Sequence, residues 1–158
     1  EPRKLAAAES FGATHTVAWQ GSPEATAEAV REATDGGVDH AIEATGRGEA
    51  MLAAVLVTRP RGSAVLIGIP HAETVLPLPA VTIQGGERRI LGSVYGSSKP
   101  ERDFPAILEL YRAGRLPLDR LVSHRLPLDE IDRAFSLMAS GEALRVVVDP
   151  TLAKAVAA

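Results

Sequence analysis

The sequence predicts an α/β fold, in which a partial, doubly wound parallel sheet is followed by a shorter run of helices and strands. Three observations predict it. Strand and helix patterns alternate from residue 14 to residue 69, the order of right-handed βαβ crossovers. Residues 63–69 (SAVLIGI) are an almost unbroken apolar run, which suits a strand covered on both faces. Successive strand candidates also end in glycine, at Gly46, Gly68 and Gly92 to Gly96.

The elements follow in order. Pro2 followed by RKLAAAESFG reads as a helix with proline in its first turn and Gly12 as its stop. Residues 14–19 (THTVAW) read as a short β-branched strand. Ser22 caps a helix from Pro23 to about Thr34, with Glu24 and Glu28 placed early, where the helix dipole favours acid. Asp35, Gly36 and Gly37 end it. Residues 38–44 (VDHAIEA) form the next strand, closed by Thr45 and Gly46. A helix from Glu49 to about Thr58 stops before a turn-rich loop, Arg59-Pro60-Arg61-Gly62.

After Pro70 the texture changes. Residues 75–83 (VLPLPAVTI) are too proline-broken for a central strand and read as an edge strand or extended loop. Residues 89–95 read as a strand. Residues 100–112 read as an amphipathic helix, with Phe104, Ile107, Leu108 and Tyr111 on one face. Residues 122–128 form a strand, Asp129 caps a helix over 130–140, and residues 143–150 (ALRVVVDP) supply a final strand before a tail at 151–158.

Composition narrows the function classes. The chain has 158 residues, enough for one sizeable core, and 46% are apolar, with only three Phe, two Tyr and one Trp. The net charge of −3 with interspersed signs gives no basic stripe, so nucleic acid is not expected as a partner. Cysteine is absent, which removes disulfides, thiolate nucleophiles and the usual zinc clusters. No apolar run approaches the ~20 residues that cross a bilayer, and the first ten residues lack the apolar core of a signal peptide. A soluble, cytoplasmic protein without a membrane partner is the default expectation.

The chemistry-bearing residues gather at strand ends. Ligands of open parallel sheets bind outside the carboxyl ends of the strands, and glycine there lets a flat cofactor approach the backbone. Glu43-Ala44-Thr45-Gly46, Ile67-Gly68-Ile69-Pro70 and Gly92-Ser93-Val94-Tyr95-Gly96 occupy such positions. Together with GGVDHAIEATGR (36–47) and SGEALRVVV (140–148), and in this order, they resemble the medium-chain dehydrogenase/reductase superfamily. Within it the resemblance is to the zinc-type alcohol dehydrogenases, from residue 1 to about residue 150.

That resemblance implies a Rossmann-type nucleotide-binding domain over 1–95 without its first strand and glycine-rich turn. It further implies segments of the catalytic domain over 96–150. It implies hydride transfer between an alcohol/aldehyde pair and NAD(H), with NADP left open. Lys4 matches a basic residue beside the ribose-binding acid. Ala44, Thr45 and Arg47 match the segment along the adenosine half. The backbone at Ile67, Ser93 and Tyr95, with the close approach at Gly68, matches the groups holding the carboxamide. Ile69 and Val94 match apolar walls, and Arg145 matches a residue that pairs with the pyrophosphate through its planar donor fork. Residues near 79–95 match subunit contacts, which implies a homo-oligomer.

Blander readings stand beside these. Lys4 and Arg47 also read as solvated charges, Arg145 could pair with Asp149 or Glu142, and Glu43 could simply satisfy a local turn. Tyr95 and Lys99 spell a Tyr-x-x-x-Lys dyad, but Gly96 and Pro100 oppose the helix that dyad requires. His71-Ala72-Glu73 lacks a third metal ligand, and His15, His40 and His124 read as strand histidines. No catalytic residue and no zinc ligand are expected in this chain, which would therefore be catalytically incompetent alone while its parent holds zinc. The alternatives are a zinc-free quinone or enone reductase of the same superfamily, or a non-catalytic scaffold. The missing upstream strands also predict an unpaired sheet edge, with oligomerisation or poor solubility as the result.

Overall fold

The computed structural model describes residues 2–152, which divide into a larger compact unit (5–98) and a smaller one (99–152 with 2–4). The chain opens with α1 (Pro2–Ser10), stopped as expected by Gly12 at φ 103°. In the larger unit, α2 (Pro23–Ala33) starts where Ser22 accepts the Ala25 amide at 3.1 Å. β1 (Val38–Glu43), α3 (Gly48–Val57), β2 (Thr58–Leu66), α4 (Ala80–Gln84) and β3 (Arg89–Gly92) complete it. The sheet runs β1-β2-β3 and both pairings are parallel. Every connection is therefore a crossover, the Rossmann-like arrangement that the alternating pattern predicts.

Helix α3 is apolar on every side, so it lies inside the unit. Met51, Leu52, Ala53, Ala54, Val55 and Val57 are all buried, and α3 packs against α2, β1 and β2. Val55 and Ala64 are wholly inaccessible, with Ala41, Leu78 and Ile90 closing around them. Small residues at 53, 54 and 64 let the helix approach the sheet closely. Arg31 ties the helix pair by donating to the Leu56 carbonyl, and Arg88 ties α4 to β2 through the Thr82 and Thr58 carbonyls.

Several expectations are corrected. Residues 14–19 are not a strand: they run as irregular chain, with His15 in it, held by Thr16 donating to Glu9 and the Gln20 amide donating to Thr26. A β-branched run forms a strand only against a neighbour, and β1 is the outer strand of the described sheet. Residues 80–83, read with 75–79 as an edge strand or extended loop, fall in α4. Pro79 precedes the helix, and its carbonyl accepts the Thr82 amide at 2.9 Å. Proline is a poor strand residue but an acceptable helix neighbour, and here the second property decides.

The Arg59–Gly62 loop is instead an excursion inside β2. Val38 pairs with Thr58 and His40 with Ser63, so the extra residues bulge out around Arg61 at φ 67°. The apolar run expected as one strand to Ile69 leaves the sheet after Leu66, and β3 stops at Gly92 rather than Tyr95.

In the smaller unit, α5 (Pro100–Arg112), β4 (His124–Leu126), α6 (Ile131–Ala139) and β5 (Val146–Val148) follow in order, with β4 parallel to β5. Asp129 does not cap α6: the cap position is Glu130, reached through a 3₁₀ turn over Leu128–Glu130. Of the tail expected at 151–158, residues 153–158 lie outside the described residues. Among the described residues no helix is long and apolar enough to cross a membrane.

Candidate functional site

The carboxyl ends of β2 and β3 open into one crevice of about 500 Å³. Register explains the meeting. Leu66 pairs with Gly92, and the Ser93 amide donates to the Leu66 carbonyl at 3.0 Å, so both strands are released from the sheet at the same level. Ile67, Gly68, Ile69 and Pro70 form one wall, and Ser93, Val94 and Tyr95 form the other. Met51 of α3 and Leu76 line it too. Ile69 and Val94 are 92% and 87% exposed, so two apolar side chains stand into the opening with almost no protein cover.

The end of β1 is bound tightly to the end of β2. The Glu43 carbonyl accepts the Ile67 amide at 2.8 Å and the Gly68 amide at 3.1 Å. Gly46, at φ 77°, lies so near the next loop that a Cβ on Gly68 would stand 2.0 Å from the Gly46 nitrogen. Glycine at both positions is a steric requirement.

The Glu43 side chain, 4% exposed, completes the turn. It accepts the Thr45 amide at 2.6 Å, the Thr45 hydroxyl, and the Gly46 amide at 3.0 Å. The Thr45 hydroxyl in turn accepts the Arg47 amide at 3.2 Å. Sequence reasoning leaves Glu43 out of the cofactor contacts and reads it as satisfying a local turn, which is what its side chain does. The signal available was an acid two and three residues ahead of Thr45 and Gly46, the spacing of a carboxylate that folds back onto its own turn.

The structure brings six of the expected residues together at the crevice: Ile67, Gly68, Ile69, Ser93, Val94 and Tyr95. Ala44 and Thr45 face a separate hollow of about 370 Å³, lined also by Ala27 and Val30 of α2 and Ala53, Ala54 and Val57 of α3. Arg47 is exposed and paired with Glu49 at 3.0 Å. Lys4 and Arg145 belong to the smaller unit, where Arg145 lines a hollow with Met138, Leu144 and Val146. Asp149, an alternative partner for Arg145, has its carboxyl held below the ordinary range by the Thr151 hydroxyl and amide, and it feels the charge of Arg125.

Tyr95, Gly96 and Ser97 all adopt left-handed φ angles, 53°, 66° and 51°. This turn is the reverse of a right-handed helix, so Tyr95 and Lys99 are not stacked one turn apart, and Lys99 is extended at ψ 99°. Among the described residues no group of three or more His, Cys, Asp or Glu could hold a metal.

Residues 1–113 match the family described as zinc-binding dehydrogenase. Alcohol dehydrogenase 1 of Solanum tuberosum is 38% identical over 142 residues, covering 89% of this chain and 37% of that protein. An alcohol dehydrogenase zinc-binding domain protein from Burkholderia ambifaria superposes with a TM-score of 0.84 at 33% identity, over 92% of this chain and 39% of that one. Benzyl alcohol dehydrogenase from Acinetobacter calcoaceticus gives 0.83 at 29%, over 94% and 41%. The chain thus spans well under half the length of these relatives.

Proposed function

The chain belongs to the zinc-binding dehydrogenase family, and from that membership we propose that its crevice is the nicotinamide wall of an enzyme exchanging hydride between an alcohol/aldehyde pair and NAD(H). The observation that carries the reading is the convergence of two strand ends on one largely apolar opening. When bound, the nicotinamide is the hydride carrier; the chain's residues hold and shield it.

The residues fit such a group. Gly68 keeps the wall flat, and Ile69 and Val94 would sandwich a planar ring away from water. The Ile67 and Ser93 amides are already bound to Glu43 and Leu66 carbonyls, so these residues would offer carbonyls to a carboxamide NH₂. The Tyr95 backbone would donate to the carboxamide oxygen. Ala44, Thr45 and Arg47 would line the adenosine half. NAD(H) is preferred to NADP(H), and a cytoplasmic setting suits both. Among the described residues no cluster of His, Cys, Asp or Glu suits zinc.

Titrating NADH into the 158-residue chain should give a Kd below about 1 mM, and Ile69→Ser should weaken it by about tenfold through lost apolar cover. Absence of saturation in calorimetry with the unmodified chain would remove the reading. Self-association through residues near 79–95 belongs to the same proposal, supported by Val81 and Leu91, which are 69% and 47% exposed. Val81→Asp should shift sedimenting species toward monomer; an unchanged distribution would place the contact elsewhere.

A further inference from the structure

Glu43 is a buried carboxylate at the end of a strand, and among the described residues no cation pairs with it. Its charge is met by the amides of Thr45 and Gly46 and by the Thr45 hydroxyl. A turn that points successive N–H groups at one spot is an anion-binding concavity. Here the protein fills that concavity with its own side chain. The main-chain carbonyl of the same residue accepts the Ile67 and Gly68 amides. One residue therefore fixes two loops, its own turn through the side chain and the crevice wall through the backbone.

The tolerance between the loops is small. A Cβ on Gly68 would meet the Glu43 Oε2 at 2.7 Å as well as the Gly46 nitrogen, and one on Gly46 would meet the Ile69 carbonyl oxygen at 2.3 Å. Carboxylate, turn and wall form one contiguous stack, and any relaxation of the Thr45–Gly46 turn is passed to Ile67–Ile69.

We propose that Glu43 is a positioning residue: its buried carboxylate locks the Thr45–Gly46 turn and so sets the crevice wall at Ile67–Ile69. As a statement about nucleotide binding, this rests on the nicotinamide reading. It assigns Glu43 no contact with the ligand.

The test uses the full chain with Glu43→Ala and Glu43→Gln, at a temperature where all forms are folded by circular dichroism. Two quantities are read: NADH affinity and residue-resolved amide exchange. Alanine removes every acceptor, so NADH should bind about tenfold more weakly, the scale of losing hydrogen bonds to a charged group. Glutamine keeps one acceptor oxygen and should recover most of that, to within about threefold of the unmodified chain. Exchange in the alanine variant should accelerate at Thr45, Gly46, Ile67 and Gly68, while amides in the middle of α3 keep their protection.

Faster exchange throughout the larger unit would overturn the proposal in favour of a plain stability role. Local acceleration with unchanged NADH affinity would overturn it too, since the turn would then move without disturbing the wall. An unmodified chain that binds no NADH defeats the nicotinamide reading alone, and the exchange pattern still decides whether Glu43 locks the two loops.

Discussion

Replacing Gly68 by alanine is expected to destabilise the larger unit by about 3 kcal/mol and to abolish NADH binding, the upper end of what overpacking does in a closed site. A new methyl group would lie 2.0 Å from the Gly46 nitrogen and 2.7 Å from its Cα, where real contacts begin beyond 3 Å. Nothing nearby can withdraw. Gly46 is hemmed in by the Ile69 main chain, and Glu43 is held by three donors and by the Ile67 and Gly68 amides. The strain must therefore open the junction between the ends of β1 and β2. Trp19, the chain's one tryptophan, lies in the larger unit and gives its unfolding curve in urea. A variant that unfolds at the original midpoint and still binds NADH would show that the two loops are not in contact.

Val55→Ala is the second large effect, expected at roughly 2 kcal/mol. Val55 is 0% exposed and sits where α3 meets β2. Its two methyl groups are lost to a site whose neighbours, Ala54 and Ala64, are too small to collapse into the gap. For a unit of this size the melting midpoint should fall by about 10 °C. The midpoint from Trp19 fluorescence on heating checks this, and a fall of only a degree or two would mean that the helix–sheet contact is looser than its burial implies. NADH affinity at low temperature should be nearly unchanged, which separates this variant from Gly68→Ala.

The elements legible in the sequence were those whose causes are local. Ser22-Pro23-Glu24 announces a helix start by capping chemistry alone, and the helix read from Glu49 to about Thr58 is found over Gly48–Val57. The strand at 14–19 was misread because pairing is a property of two segments, and the described sheet supplies no partner there. The helix at 80–84 was misread because Pro79 and Pro77 break a strand pattern without saying what replaces it. For the crevice, glycine at strand ends pointed to Ile67–Ile69 and Ser93–Tyr95, which the fold gathers. The same reasoning could not see that Ala44 and Thr45 look into a different hollow, which depends on packing between distant residues; Glu43 was legible as the acid of a local turn, but not its reach through the backbone to Ile67 and Gly68. Lys4 and Arg145 carry no local signal beyond their charge.

All three strand pairings described here are parallel, with partners about twenty or more residues apart in the chain. No hairpin can zip up early and serve as a seed. Each pairing must wait until an intervening loop and helix have been gathered in, so the entropy of chain closure falls before any ladder is made. The protein should consequently acquire its helical signal well ahead of its sheet on refolding, at a rate toward the slow end for a chain of its length.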